Sequence, residues 1–238
     1  MRLAVLSDVH GNAFALEAVL ADIKAAAPDV LYNLGDTAWG AADPGRAWAL
    51  QAEHAPSSVR GNTDERVSGQ RAGKEAMRDW VRSQLPADAP QQLSALPTFL
   101  DVAGGEVRLA HGSPRDPWEA LMLTATGRGE QERPATFAEL RERLDGFEGK
   151  LCIVGHTHRE MLTVVGGVTV VNAGPVSRQK DGLPLARWVL LTHTAGSWNV
   201  EYRRVPYDIA AAVMWTTRHA PAHFAANEIS WLERGREP

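Results

Sequence analysis

Seven side chains in this 238-residue sequence have the chemistry of ligands for divalent cations: Asp8, His10, Asp36, Asn62, His111, His156 and His158. Four imidazoles, two carboxylates and an amide suit borderline ions such as Mn, Fe, Co or Zn better than magnesium or calcium, which favour oxygen. Two ions need about this many ligands. In Asp8-Val9-His10 and His156-Thr157-His158 the candidates stand two residues apart. In extended backbone both side chains of such a pair face the same way and can grip one ion. Gly11, Gly35, Gly61, Gly112 and Gly155 flank the candidates, permitting turns and close approach that bulkier residues would block. Singly, Asp-Xaa-His and Gly-Asp are weak signals, and Gly-Asn is ordinarily a turn. Gly-His-Thr-His after an apolar run is stronger, because two histidines on one face seldom serve a core. Independent coincidence fails as an explanation because each of the five pieces directly follows a short apolar run.

Those runs read as strands. Leu3 to Leu6 stops at Ser7-Asp8, and Ala13 to Ala27 then carries Phe14, Leu16, Val19, Leu20 and Ile23 at helical spacing. Val30 to Leu34 ends at Gly35-Asp36, Asp43-Pro44 opens a helix through His54, and Ser58 to Arg60 ends at Gly61-Asn62. This alternation predicts parallel strands with crossover helices, an α/β arrangement. Asp64 to Leu96 is polar and helical, broken by prolines. Thr98 to Val102 and Glu106 to Ala110 form a hairpin whose second arm ends at His111. A loop with Pro114, Pro117 and Gly127 leads to a helix from Thr136 to Leu144 and a strand from Leu151 to Val154, which ends at the Gly-His-Thr-His piece. Hairpins over Met161 to Asn172 and Arg187 to Arg204 predict an antiparallel C-terminal half. A capped helix from Asp208 to His219 closes the pattern, with Arg234 to Pro238 expected to fray. Strand ends cluster along a sheet edge, so the ligands, remote in sequence, are expected to meet.

Composition narrows the function classes. A hydrophobic share of 44% against 23% charged residues is globular usage, expected to form one domain over residues 1–238. The net charge of -4 supplies no general field for a nucleic-acid backbone, so nucleic acid is not expected as the main partner. The sole cysteine, Cys152, cannot form an internal disulfide, and the apolar start meets Asp8 before a signal-peptide core is complete. No run of about 18 apolar residues suggests a membrane span, and the expected location is cytoplasmic.

The pieces Ser7-Asp8-Val9-His10-Gly11-Asn12, Gly35-Asp36, Gly61-Asn62-Thr63-Asp64, His111-Gly112-Ser113-Pro114-Arg115-Asp116 and Gly155-His156-Thr157-His158 resemble the calcineurin-like metallophosphoesterases, in particular their small prokaryotic phosphodiesterase and phosphatase branch. The resemblance runs on through Val171-Asn172-Ala173-Gly174-Pro175 to Asp208. It implies a four-layer fold, a sandwich of two β-sheets flanked by helices. It also implies that Asp8, His10, Asp36 and His158 hold one ion and that Asp36, Asn62, His111 and His156 hold a second, Asp36 bridging. Manganese is the first expectation, ahead of Fe, Zn, Co or Ni. Ions roughly 3.5 to 4 Å apart can activate a bridging hydroxide for in-line attack on phosphorus. Asp36, Asn62 and His111 would be central to catalysis, and Cys152 would be core.

Many relatives carry histidine after the Gly-Asn asparagine, where this chain has Thr63. Threonine is no general acid near neutral pH, which predicts a preference for good leaving groups or protonation by water. Asn12 and Arg115 are expected substrate contacts, with a helix N-cap and a surface ion pair as their plain alternatives. Trp39 and Trp118 could stack on a base, but packing is the ordinary role in a chain with eight tryptophans. His54, His193, His219 and His223 match no piece of the pattern. The expected activity is hydrolysis of small phosphodiesters, cyclic or small nucleotides among them, and of phosphomonoesters. A protein phosphatase or nuclease of the same fold is the alternative, and an idle scaffold for protein partners is the alternative outside enzymes.

Overall fold

Alternation along the central strands sets the layering, because successive side chains leave a strand on opposite faces. The computed structural model describes residues 1–54, 56–127 and 131–236. Ala4 and Leu6 of β1 (Arg2–Leu6) pack with Leu16 and Val19 of α1 (Ala13–Ala26), while Leu3 and Val5 face the other way. There they meet Val107 and Leu109 of β5 (Val107–Ala110), Ile153 of β8 (Leu151–Val154) and Val171 of β10 (Val168–Asn172). Cys152 and Val154 of β8 point outward again, against Leu140 and Leu144 at α6 (Phe137–Arg143). Helix, sheet, sheet and helix therefore stack as four layers, each seam filled by apolar side chains. Both faces of the central strands are buried, which explains their continuous apolar runs.

The first sheet has the order β12 (Ser197–Val205), β11 (Ala186–Thr194), β1, β2 (Val30–Asn33) and β3 (Ser57–Ser58). Its β1–β2 and β2–β3 pairs are parallel, and β11 joins β1 antiparallel. The second has the order β4 (Phe99–Val102), β5, β8, β10 and β9 (Met161–Val165). Here β8 runs parallel to both β5 and β10. The expectation of an antiparallel C-terminal half thus holds for the hairpins β9–β10 and β11–β12 and fails at β8. Hairpins are visible locally, whereas β8 finds its neighbours through crossovers that leave no local trace.

Helix ends follow the capping residues. Asn12 Oδ1 accepts from Ala15 N at 3.0 Å to start α1, Asp43 Oδ1 accepts from Arg46 N at 3.1 Å at α2 (Pro44–His54), and Thr136 forms a capping box with Glu139 at α6. The polar stretch after Asn62 divides into α3 (Asn62–Ser68), α4 (Glu75–Ser83) and α5 (Ala89–Ser94). Two elements go beyond the sequence expectation. A small hairpin of β6 (Leu123–Ala125) and β7 (Glu132–Pro134) stands in the expected loop. After α7 (Ile209–His219), a further helix α8 (Ala222–Arg234) is closed by Gly235 in left-handed backbone, so Arg234 and Gly235 are ordered where fraying was expected. Glu237 and Pro238 of that expected tail lie outside the described residues. Among the described residues no helix is long and apolar enough to cross a membrane.

Candidate metal centre

Each of the seven candidate ligands lies just beyond the C-terminal end of a strand. Asp8 and His10 follow β1, Asp36 follows β2 and Asn62 opens α3 after β3, all in the first sheet. His111 follows β5, and His156 and His158 follow β8, in the second. The site therefore straddles the seam between the sheets. Asp8, His10, Asp36, His111 and His158 are each less than 10% exposed, as is Asn62. His156 is only partly buried.

The ligand pairs do not use extended backbone. Asp8, His10, Asp36, His156 and His158 have φ of 56°, 48°, 58°, 66° and 59°. This left-handed region costs a non-glycine residue on the order of 1–2 kcal/mol and recurs at functional sites. The two-residue spacing predicted convergence correctly, but the turns produce it. Gly155 shows why glycine precedes the second pair: a Cβ there would overlap the Ser7 hydroxyl and stand 2.5 Å from Asp8 Oδ2.

The imidazole tautomers reveal what the centre lacks. His10 Nδ1 lies 3.1 Å from the Trp39 carbonyl oxygen, and His158 Nδ1 lies 2.6 Å from that of Arg178. A carbonyl only accepts, so both Nδ1 atoms carry hydrogen, which leaves Nε2 of each ring as the atom that can bind a metal. Those two Nε2 atoms face each other 3.0 Å apart. Burial, followed by the Arg178 guanidinium and His158, holds His10 well below its ordinary pKa, so His10 is neutral. A metal cation between the two nitrogens would satisfy both. Beside them Asp8 Oδ1 is buried without a hydrogen-bond partner, 3.3 Å from His158 Nε2 and 3.8 Å from His10 Nε2.

A matching arrangement lies across Asp36. His111 Nδ1 donates to the Leu34 carbonyl oxygen at 2.8 Å, and His111 Nε2 stands 2.9 Å from Asn62 Oδ1. His156 Nδ1 faces the same Asn62 oxygen at 2.9 Å. Asp36 turns Oδ2 toward His10 Nε2 at 3.6 Å and Oδ1 toward His111 Nε2 at 3.5 Å. Ligand atoms of Asp8, His10 and His158, and of Asp8, Asp36 and His111, lie within 4.8 Å of one another. The residues present fit divalent metal.

Electrostatics agree. Burial opposes charge on His111, but Asp36, Asp8 and Asp64 outweigh it and raise the ring above its ordinary pKa; a field that favours a proton there favours a metal cation. Burial alone would raise Asp8, yet His158, His111 and His10 outweigh it and hold the carboxyl well below the usual range. Asp36 is pushed up to about 6 by burial, against the attraction of His111. Burial, then His111, pushes His156 down to about 3, leaving it neutral.

Several supporting residues escaped the sequence reading. Asp64 is fully buried and accepts from the backbone of Gly61, Asp36 and Thr37 at 2.8, 2.9 and 3.1 Å, clasping two ligand loops together. Its place three residues after Gly61 is a capping position that could have revealed it. Asn172 Nδ2 donates to the Gly155 carbonyl oxygen at 2.6 Å and to Thr157 Oγ1 at 2.9 Å, fixing the turn that carries His156 and His158. Arg178 had no local signal.

The expected substrate contacts are placed elsewhere. Asn12 is fully buried, capping α1 and donating to Ser177 Oγ at 3.0 Å. Arg115 is exposed and forks onto Glu119 at 2.9 and 2.7 Å, with Glu142 at 3.1 Å. Both make the contacts of the plain alternative. Trp118 donates to Glu65 at 2.8 Å beneath Arg66 and Arg71, a surface packing role. Trp39 is buried with Val67 and Val81. Cys152 is buried, its thiol pushed up to about 12 by burial, as a core residue would be.

A calcineurin-like phosphoesterase superfamily domain matches residues 1–196, which include all seven ligand candidates. The chain belongs to this superfamily. The family is metal-dependent, in keeping with the donor set just described. An uncharacterized protein of Methanocaldococcus jannaschii is 26% identical over 236 residues, with 88% of this chain and 89% of that protein covered. A metallophosphoesterase from Sphaerobacter thermophilus has a similar structure, with a TM-score of 0.76, 26% identity and 97% and 99% of the two chains covered. A hypothetical protein from Pyrococcus horikoshii also reaches a TM-score of 0.76, over 100% of this chain and 99% of that one, at 16% identity; that likeness concerns the fold alone. Family and fold together make this chain a phosphoesterase hydrolase of α/β architecture, with two mixed sheets flanked by helices.

Proposed function

We propose that this phosphoesterase hydrolyses small phosphodiesters, and phosphomonoesters less readily, with two divalent ions, manganese first, held by the seven ligands. The observation that carries the reading is a pair of facing ring nitrogens, His10 Nε2 against His158 Nε2 at 3.0 Å, beside a second convergence in which His111 Nε2 and His156 Nδ1 each stand 2.9 Å from Asn62 Oδ1. In this reading Asp8, His10 and His158 hold one ion, Asn62, His111 and His156 the other, and Asp36 serves both. When bound, the ions supply Lewis acidity that lowers the pKa of water and neutralises charge on the phosphoryl oxygens. The chain's own residues orient the ligands: Asp64 fixes the Asp36 loop, Thr63 N–H donates to Asp36 Oδ1 at 2.8 Å, and His156 is the least buried of the seven. Thr63 Oγ1 is buried and unpartnered and offers no acid to a leaving group, which fits a preference for aryl over alkyl esters.

Metal analysis and hydrolysis of cyclic nucleotides, dinucleotides, aryl diesters, monoesters and phosphopeptides with manganese test the proposal. The expected result is stoichiometric metal and diester hydrolysis, with Asp36→Asn losing more than the roughly 10–100-fold typical of an outer-shell change. Wild-type protein that takes up metal yet hydrolyses none of these esters would sink the enzyme reading in favour of a scaffold.

A further inference from the structure

Helices α7 and α8 lie beyond the residues matched to the superfamily, yet they grip two segments of the chain that adjoin the metal centre. A cavity of about 760 Å³ opens between α4, α8 and the loop after β2, with Trp39, Arg178 and Glu228 in its wall and none of the seven ligands. Glu228 is only 2% exposed, an uncommon place for a carboxylate, and its contacts explain it. Oε2 accepts from the Arg178 guanidinium at 2.6 Å and from Ala41 N at 3.2 Å. Thr216 Oγ1 of α7, itself fully buried, donates to the Ala41 carbonyl oxygen at 3.0 Å. Ala41 is thus held at both its N–H and its carbonyl by the C-terminal helices.

Each gripped segment leads to a ligand ring. The Arg178 carbonyl oxygen accepts from His158 Nδ1 at 2.6 Å, and that of Trp39, two residues before Ala41, accepts from His10 Nδ1 at 3.1 Å. Between Trp39 and Ala41, a Cβ on Gly40 would stand 1.6 Å from the His10 carbonyl oxygen, so the loop cannot shift without moving His10. These contacts fall on the Nδ1 sides of the rings, away from the ions, where an outer partner fixes the aim of the nitrogen that binds. The other half of the centre is held from elsewhere. His111 Nδ1 donates to the Leu34 carbonyl oxygen after β2, and Asp64 of α3 accepts from Gly61 N beside Asn62. We propose that Glu228 is a positioning residue for one ion of the two: it holds the Arg178 and Trp39 carbonyls where they aim His158 and His10. The ion at Asn62, His111 and His156 is left to the sheets. The assignment rests on the two-ion reading of the centre.

Calorimetric titration of the metal-stripped full chain with manganese should give two ions per wild-type chain. Glu228→Leu, which removes the acceptor, should raise one dissociation constant by roughly 10–100-fold and leave the other within about twofold. Glu228→Gln keeps an oxygen for Ala41 N and Arg178 and should return both constants to within about twofold of the wild type. Thr216→Val, an isosteric change that tests the same grip should Glu228→Leu fail to fold, should weaken the same ion by about fivefold, the worth of one hydrogen bond. With zinc in place of manganese, ring nitrogen shifts of labelled histidine should show the ion missing from His10 and His158 and still present at His111. Excess manganese should restore diester hydrolysis by Glu228→Leu, which a damaged fold would not allow. Two constants that stay unchanged, or that weaken equally, in Glu228→Leu overturn the assignment. A wild type that takes up fewer than two ions overturns the two-ion reading and the assignment with it. Two ions, one of them weakened by Glu228→Leu, in a protein that hydrolyses no ester uphold the assignment and overturn the diester reading instead.

Discussion

The metal centre and the cavity beside it share Trp39 and Arg178 but are built in opposite ways. At the centre, five ligands sit in left-handed backbone at strand ends, and carbonyl oxygens fix the ring orientations of His10, His111 and His158. At the cavity, side chains project from the ordinary backbone of α4 and α8. A strand-end ligand cannot move without breaking a sheet or a turn. A side chain on a helix face can change with little disturbance to the backbone. The ligand geometry is thus set by the sheets, and the cavity wall by helix faces.

Gly155→Ala tests the rigid half most severely. The added Cβ meets Ser7 and Asp8 with no room to relax, so denaturant unfolding should show a loss of about 1–3 kcal/mol and diester hydrolysis should fall by about 100-fold. Retained activity would mean that the turn is softer than the cradle requires. A smaller effect is expected away from both regions, at Asp22. Its carboxylate accepts from Arg203 at 3.0 and 3.2 Å and from Trp188 Nε1 at 2.9 Å, and the Arg203 bond lowers its pKa below the ordinary 3.8. A carboxylate held more acidic in the folded chain stabilises above its unfolded pKa and loses that contribution as pH falls through the folded value. Asp22→Asn should therefore lower Tm by roughly 2 °C at pH 7, and the gap should close as pH falls below about 3.8. A gap that widens in acid would reverse the assigned sign. Arg115→Ala should do least: Tm unshifted, and KM for an aryl diester within about twofold of the wild type. A tenfold rise in KM would make Arg115 a substrate contact.

The sequence made the centre legible because every ligand but Asn62 closely follows a largely apolar run, and residues 3–6, 30–34, 107–110 and 151–154 read as strands. The four layers were implied by the family resemblance of the ligand pieces. Its failures have physical causes. Two-residue spacing was taken for extended backbone because left-handed φ at Asp8 or His156 is set by turns that only the assembled sheets stabilise. The parallel neighbours of β8 are chosen by crossovers. Helix α8 was overlooked because its buried face reads Ala225, Glu228, Leu232, with an acid where an apolar residue is expected. Closeness in sequence pointed to Arg115, whereas Arg178, whose carbonyl oxygen holds the His158 ring, stands 20 residues beyond His158 and gave no local signal.

The placement of four ligands on one sheet and three on the other has a mechanical consequence. Sliding the layers past each other by even an ångström would pull Asp8 from His158 and Asn62 from His111, so an ion held between them acts as a rivet against shear. Each sheet then serves as the other's alignment gauge. Mutations that loosen the apolar seam at Val5, Leu109 or Ile153 should be felt at the catalytic edge before they are felt as unfolding.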